Sequence, residues 1–573
     1  MNFQIEIDGV LTEGKSTQTI LEKCKELGIN IPTLCYHEDL GSQKVCGICV
    51  VECNGELLKS CETYIEEGMV IRTKTSKIVE IRENILKDIM KDHPNDCLTC
   101  EKSKGDCELQ NVAFDYNIVN RNEKDIKKYE IDNSSSGITR NMNKCILCEK
   151  CVAVCKDVQG LGIYEVIENN GIREIVIKNG KLLGETECVS CGQCVKVCPV
   201  GALTEKNSVA ELNRLLKSSE KHIIVQMAPA IKHTIGEEFF ITPGVDVTSK
   251  MVAALKKLGF DKVFSTDFSA DVTIMEEGTE LIERLTKGKG KLPMFTSCCP
   301  GWVNYVEQSY PNFMENLSSC KSPQQMFGAL SKSYYSENLN IPKEDIYSVS
   351  IMPCTAKKGE SEREQMQEDG IRDVDLVITT REFAKLIKMN NIDFNSLPEG
   401  LTYDSFMGKG SSAARIFGTS GGVMEAALRT VSHVLTNGQL KQIEFTALRG
   451  FENVKSAEIV LGDKIVKVAV INGIGSAKKV LDAIEKGELS IDFIEVMACY
   501  GGCISGGGAP IPDNLDVRKA RMKGMYSFDS NSTLRKSHEN QEVIDLYKNY
   551  LKDPCGHKSH HILHTTYSKK IKI

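Results

Sequence analysis

Apolar and polar positions alternate from the first residues onward. In FQIEIDGVLTEG (3–14) the period is two, which predicts a strand pair with one buried face. TILEKCKELG (19–28) then changes to the spacing of an amphipathic helix. A second alternating stretch, REIVIKNGKLLG (173–184), predicts a hairpin. From about residue 209 the pattern is different: HIIVQMAP, DKVFSTDF, LPMFTSCCP, IYSVSIMPC, DLVITT, KVAVIN and IDFIEVMAC are short, nearly continuous apolar runs, several of them separated by helically periodic segments. That order predicts α/β units around a largely parallel sheet. FTSCCPGWV (295–303) reads as a strand running into a turn at Pro300–Gly301. The expected fold class is multi-domain α+β and α/β, with small modules ahead of one large α/β domain.

The 573 residues exceed what one hydrophobic core accommodates, so three or four domains are expected. Net charge is −7 with both signs well mixed, which gives no footprint for nucleic acid. The start, MNFQIEIDGV, lacks a charged-then-apolar leader, and no apolar run approaches the ~18 residues of a membrane span. The 24 cysteines change the picture most. In a large chain without a leader they point to a soluble, cytoplasmic protein that holds metal rather than disulfides. Nine lie within residues 24–107, eight within 145–198, and seven are spread over 199–573. Several small metal modules therefore precede one large domain: boundaries at 1–78, 79–131, 138–208 and 209–573 are expected, with DNSSSG (132–137) as a linker.

Cys35, Cys46, Cys49 and Cys61 follow C-x10-C-x2-C-x11-C, a spacing for a four-thiolate [2Fe–2S] site or a structural zinc. Cys24 and Cys53 fall outside it and read as small buried side chains. His93, Cys97, Cys100 and Cys107 form H-x3-C-x2-C-x6-C, which taken alone suits zinc as readily as iron. CILCEKCVAVC (145–155) and CVSCGQCVKVCP (188–199) repeat C-x2-C-x2-C-x3-C, the two-cluster ferredoxin run in which each fourth cysteine ligates the other cluster. Cys145, Cys148, Cys151 and Cys198 are then one ligand set, and Cys188, Cys191, Cys194 and Cys155 the other. The first two modules resemble the [2Fe–2S] and His-ligated [4Fe–4S] segments of complex I large iron–sulfur subunits and hydrogenases, a resemblance that favours iron in both. Those families usually have five residues in the last gap, where this chain has six.

In the large domain, three apolar runs end in cysteine: at Cys298 and Cys299, at Cys354, and at Cys499 and Cys503. Ligands in open α/β folds collect at the carboxyl ends of strands, so five thiols delivered there predict one metal site. Gly501 and Gly502 allow a tight turn between Cys499 and Cys503, and Gly506–Gly508 would allow close approach to a bulky group. GIGSAKK (473–479) could be claimed as a dinucleotide turn with Glu495 as the acid. Lys478 replaces its third glycine, so no nicotinamide site is expected.

TSCCPGW, MPCTAKKGE and EVMACYGGCISGGG resemble the three signatures of [FeFe]-hydrogenases, and the upstream cluster order resembles the multi-cluster clostridial form over essentially the whole chain. The resemblance implies an enzyme that interconverts protons, electrons and H₂, working with ferredoxin or a similar carrier and with maturation proteins that supply its di-iron unit. It implies an H-cluster: a [4Fe–4S] cube on Cys299, Cys354, Cys499 and Cys503, bridged through Cys503 to a di-iron unit bearing CO, cyanide and an azadithiolate. By the same resemblance Cys298 is the last proton carrier, its pKa suited to exchange near neutral pH, facing away from the side that Cys299 presents. The route to it runs through Glu277, Ser318, Glu280 and Arg284. Lys357 contacts one cyanide, the backbone near Pro229 and Ala230 the other, and Met352 and Met497 pack against the di-iron unit. Rival readings are a catalytic subunit of an NADH-linked bifurcating complex and a non-catalytic or sensory iron–sulfur protein. Cys320 and Cys555 receive no role.

Overall fold

The computed structural model describes residues 1–102, 105–119, 128–218, 220–439, 443–461 and 464–570. Ser103 and Lys104, inside the six-residue gap before Cys107, lie outside them. The alternating start forms β1 (Asn2–Ile7) and β2 (Val10–Lys15), paired antiparallel with Ile7 opposite Val10. Helix α1 (Ile20–Glu26) begins at Thr19, whose side chain accepts from the Glu22 amide while Glu22 caps back, so two amides without helical partners are satisfied. With β3 (Val50–Cys53), β4 (Glu56–Lys59) and β5 (Val70–Arg72) the sheet order is β2-β1-β5-β3-β4. Cys24 and Cys53 sit in the apolar core between this sheet and α1, beside Ile7, Ile20, Val51 and Ile71.

Helix α2 (Ser76–Lys91) leads to the second module, and its buried Arg82 donates to the Val50 carbonyl at 2.7 Å, tying the two modules together. The second module contains α3 (Glu108–Asp115). The hairpin expected between the two ferredoxin motifs forms as β6 (Tyr164–Asn169) and β7 (Ile172–Ile177). Residues 132–137 are not a loose linker. Asp132 and Ser135 are buried, Asp132 accepts from the Leu183 amide, and Ser134 accepts from the Gly184 amide. Short polar side chains cap nearby backbone as readily as they stay solvated, and composition alone does not separate the two outcomes.

The large domain holds two four-stranded sheets rather than one. In the first, β8 (His222–Met227), β9 (Lys262–Ser265), β11 (Ile346–Met352) and β12 (Leu376–Thr379) are all parallel, in the order β9-β8-β11-β12. In the second, β10 (Met294–Phe295), β14 (Lys464–Asn472) and β15 (Phe493–Met497) are parallel, and β13 (Val454–Leu461) closes the edge antiparallel to β14. Helix α4 (Thr266–Lys287) follows β9 directly, capped by Ser265 and ended by Gly288 in the left-handed conformation. Pro300 and Gly301 open α5 (Pro300–Ser309) instead of making a turn: proline at the first helical position gives up an N–H that has no helical partner. Helix α6 (Ala356–Ser361) begins just after Cys354, α7 (Leu515–Asn531) packs Met522 and Met525 with Ala230 and Ile504, and α8 (His557–Leu563) lies near the C-terminus.

Candidate active site and metal centres

In the first module the four thiols form two pairs. Cys49 and Cys61 sulfurs are 3.1 Å apart, and Cys35 and Cys46 hydrogen-bond to each other. Two pairs suit two irons, each with two thiolates, better than one zinc with four equivalent ligands. In the second, His93 is buried and its Nδ1 lies 3.1 Å from the Pro94 carbonyl. A carbonyl only accepts, so Nδ1 carries the proton and Nε2 the lone pair, the arrangement of a metal-ligating histidine. Cys107 caps α3 and its sulfur accepts from the Gln110 amide at 3.4 Å.

Cys145, Cys148, Cys151 and Cys198 line one small cavity. The fourth thiol of the second repeat therefore does stand with the first three of the other. Both repeats also share a backbone pattern: Leu147 and Glu149 in one, Ser190 and Gly192 in the other, all have positive φ. Leu147, Glu149 and Ser190 adopt this conformation without being glycine, at the tight turns between the cysteines. At Gly192 a Cβ would meet Thr355 Oγ1 at 2.4 Å and the Gly507 Cα at 2.9 Å, so glycine lets this loop seat on the large domain. Gln193 donates to the Ser505 carbonyl at 3.1 Å, and Thr355 donates to the Ser190 carbonyl at 2.7 Å.

Five strand ends, those of β8, β9, β10, β11 and β15, converge on a cavity of about 80 Å³. Cys298, Cys299, Cys354, Cys499 and Cys503 line it, as do Pro229, Ala230, Met352, Met497 and Lys357. Cys191 reaches the same cavity, which sets the second ferredoxin repeat against it. Sequence reasoning missed Phe417, Gly418 and Gln324, which arrive from segments without a chemical signature. A Cβ at Gly502 would meet the Ser420 amide nitrogen at 2.6 Å, and Gly502 has φ +90. The close approaches at Gly506–Gly508 are to the polypeptide itself: to the Pro353 carbonyl, to Cys191 and Gly192, and to Thr379. Glu495 accepts from the Gly421 and Met424 amides at 2.6 and 2.7 Å and caps a helix N-terminus, which removes it as a ribose ligand. Six thiols line this largely apolar cavity, more than the four that a cube of iron and sulfide takes, so the residue set fits one.

Cys298 and Cys299 line the same cavity, but their other neighbours differ. The Cys299 sulfur accepts from the Ala498 amide at 3.5 Å. Burial, then the charge of Glu277, pushes the Cys298 thiol well above its ordinary value, away from the near-neutral value expected from sequence. Burial and the nearby Glu280 charge raise the Glu277 carboxyl to about 8. Glu280 accepts from Ser318 Oγ at 2.8 Å, from the Ser319 amide at 3.1 Å and from Arg284 Nη2 at 2.6 Å. Arg284 is held further by the carbonyls of Lys291, Asn316 and Leu317. Lys357 Nζ donates to the Cys298 carbonyl at 3.0 Å and to Glu360 at 2.8 Å. Burial would lower this ammonium, but Glu360 outweighs it and holds the pKa above the ordinary lysine value. Glu360, buried and also accepting from Ser322 and Gln324, was not anticipated, although its i,i+3 spacing from Lys357 is a readable signal.

A thiol-lined cavity reached by one of several cysteine modules with iron–sulfur spacing is the arrangement of an iron–sulfur redox protein. Comparison with known proteins carries this further. The family described as Iron only hydrogenase large subunit, C-terminal domain matches residues 221–507, and Iron hydrogenase small subunit matches 515–570. Upstream, a 2Fe-2S iron-sulfur cluster binding domain matches 1–76, the NADH-ubiquinone oxidoreductase-G iron-sulfur binding region 82–121, and a 4Fe-4S dicluster domain 144–202. The chain is 43% identical over 585 aligned residues to NADP-reducing hydrogenase subunit HndD of Solidesulfovibrio fructosivorans, covering 99% of each. It is 40% identical to Iron hydrogenase 1 of Clostridium pasteurianum, over 99% of this chain and 100% of that one. The solved structure of a variant of [FeFe]-hydrogenase HydA1 from Chlamydomonas reinhardtii superposes with a TM-score of 0.58 at 40% identity, covering 64% of this chain and 99% of that one. The chain belongs to the [FeFe]-hydrogenase family. Its fold combines ferredoxin-like iron–sulfur domains with a large hydrogenase catalytic domain. Among the described residues no helix is long and apolar enough to cross a membrane.

Proposed function

We propose that this hydrogenase interconverts two protons and two reduced ferredoxins with H₂ and two oxidised ferredoxins in the cytoplasm. Electrons enter through four accessory clusters: a [2Fe–2S] centre on Cys35, Cys46, Cys49 and Cys61, and a [4Fe–4S] centre on His93, Cys97, Cys100 and Cys107. The two further [4Fe–4S] centres lie on the crossed sets of the ferredoxin repeat. In the catalytic domain Cys299, Cys354, Cys499 and Cys503 hold the cube, and Cys503 carries the di-iron unit, supplied by maturation proteins. The domain boundaries proposed are 1–78, 79–131, 138–208 and 209–573.

When bound, the di-iron unit supplies the two-electron reduction of protons. This chain's residues bring the protons and shape the cavity. The single observation behind the reading is the file that ends at the cavity: Glu280 hydrogen-bonded between Arg284 and Ser318, Glu277 one turn away, and Cys298 beside it. Cys298 rests as a neutral thiol and releases its proton from Sγ. Glu277, raised to about 8, is a neutral acid near pH 7 and reloads that sulfur. Ser318 relays between the two glutamates by turning its hydroxyl. Arg284 has donors and no acceptor, so its contact orients Glu280. Lys357 donates to the Cys298 carbonyl and to both oxygens of Glu360, which holds its ammonium at the cavity wall as a positive charge for an anionic ligand. Pro229, Ala230, Met352 and Met497 give the cavity dry walls.

A second reading follows from the full-length similarity to a subunit of a NADP-reducing hydrogenase: a catalytic subunit whose electrons come from a nicotinamide through partner chains. The purified chain alone, loaded with a synthetic di-iron precursor, separates the two. H₂ evolution driven by reduced ferredoxin supports the first. Turnover with reduced viologen but none with ferredoxin contradicts it and supports the second.

A further inference from the structure

Residues 555–564, CGHKSHHILH, place a cysteine and four histidines near the C-terminus, and no step above uses them. The structure folds this segment against α4 at Glu276, one residue before Glu277 on the helix. Glu276 is fully buried. One of its oxygens accepts from the Tyr547 hydroxyl, and the other accepts from the Cys555 amide at 2.6 Å and lies 3.0 Å from His564 Nε2. The Cys555 sulfur lies 3.3 Å from the Glu276 carbonyl oxygen. A carboxylate oxygen of Glu276, the thiol of Cys555 and a ring nitrogen of His564 are all within 4.8 Å of one another.

We propose that Glu276, Cys555 and His564 form a further metal site, for a zinc-type divalent cation. Carboxylate, thiolate and imidazole together are a zinc donor set, and three protein ligands leave a fourth position for water. Ligands at zinc distances stand roughly 3.5 Å apart in a tetrahedron, so sub-ångström to one-ångström movements close this triad on an ion. Charge argues the same way. A fully buried carboxylate is costly without a counter-charge, yet among the described residues His564 is the only basic side chain paired with Glu276. A divalent cation would give this buried carboxylate a full counter-charge. The site also borders the proposed proton file. His564 belongs equally to a second triad with Glu280 and Cys320, and Ser319 joins them: its hydroxyl meets His564 Nδ1 at 2.8 Å while its amide donates to Glu280.

The test uses the full chain with its iron–sulfur clusters in place, cleared of loosely held metal and given one equivalent of Zn²⁺. Zinc K-edge X-ray absorption is expected to show one sulfur near ~2.3 Å and lighter neighbours near ~2.0 Å. In chelator competition, Cys555→Ser and His564→Gln should each bind zinc at least ~10-fold more weakly, since even outer-shell changes cost that much. Tyr547→Phe keeps all three donors and should retain the ion. Three or four sulfurs around zinc would mean substitution into a cluster site and would overturn the proposal. So would failure of the parent protein to retain zinc, or unchanged affinity in both ligand variants. The sulfur count in the parent decides the matter even if a variant does not fold.

Discussion

Replacing Glu280 separates the proton file from the rest of the enzyme. Its carboxylate joins Arg284 (2.6 Å), Ser318 (2.8 Å), the Ser319 amide (3.1 Å) and the Cys320 thiol (3.9 Å), so Glu280→Ala removes contacts to four partners at once. Stranding a buried arginine usually costs ~3–5 kcal/mol. Here Arg284 keeps the carbonyls of Lys291, Asn316 and Leu317, so the expected loss of stability is only about 1–3 kcal/mol. The kinetic effect is larger. Losing a positioned acid–base group lowers turnover roughly 10²- to 10⁴-fold, about 3–5 kcal/mol on the barrier. Removing the Glu280 charge also removes one of the two main causes that raise Glu277, so the Glu277 pKa falls below about 8. The assay is anaerobic H₂ evolution from reduced viologen, with iron content and CO and cyanide infrared bands confirming intact clusters. Glu280→Gln, which keeps polar contacts but carries no exchangeable acid proton, should be nearly as slow as the alanine variant. Parent-like turnover in either variant at full cluster content would refute the route.

Glu277 makes stability depend on pH in a defined direction. Its folded value, about 8, lies above the ordinary 4.5, so its contribution is complete below pH 4.5 and is lost as pH rises through about 8. The loss is at most ~1.4 kcal/mol per pH unit across that window. The melting temperature of Glu277→Gln should therefore gain on the parent from about pH 5 to about pH 8, and a pH-independent difference would contradict the buried acid. Glu360→Gln should lower the Lys357 pKa and destabilise the fold by up to about 3–5 kcal/mol. In that variant the cyanide infrared bands should shift, and unchanged bands would show that Lys357 does not touch a ligand. His93→Cys should lower one cluster's potential in an EPR-monitored titration, because imidazole raises it relative to thiolate. An unaltered set of potentials would remove His93 as a ligand.

The metal modules were legible because cysteine spacing is nearly a statement of geometry. The crossed pairing of Cys198 with Cys145 and its neighbours is expected from the repeat alone, and the four cysteines line one cavity. The convergence of Cys298, Cys354 and Cys499 was legible for a different reason: a short apolar run ending in a thiol marks both a strand and the end at which ligands gather. What escaped depends on contacts between distant segments. Nothing in periodicity separates two four-stranded sheets from one sheet, since the pairing partner of each strand is a tertiary matter. Residues 132–137 have linker composition and yet cap buried backbone. Glu149 takes a left-handed conformation that its side chain does not announce. Glu276 reads as one of several helix glutamates until His564, 288 residues on, arrives beside it.

The most direct test of the central claim measures H₂ evolution from reduced viologen before and after loading the purified protein with a synthetic di-iron precursor, with Cys298→Ala beside the parent. Activity is expected only on loading, and it should collapse in the variant while the infrared ligand bands persist. Loaded parent protein with all its ligand bands and no activity, or a Cys298→Ala variant as fast as the parent, would contradict the claim.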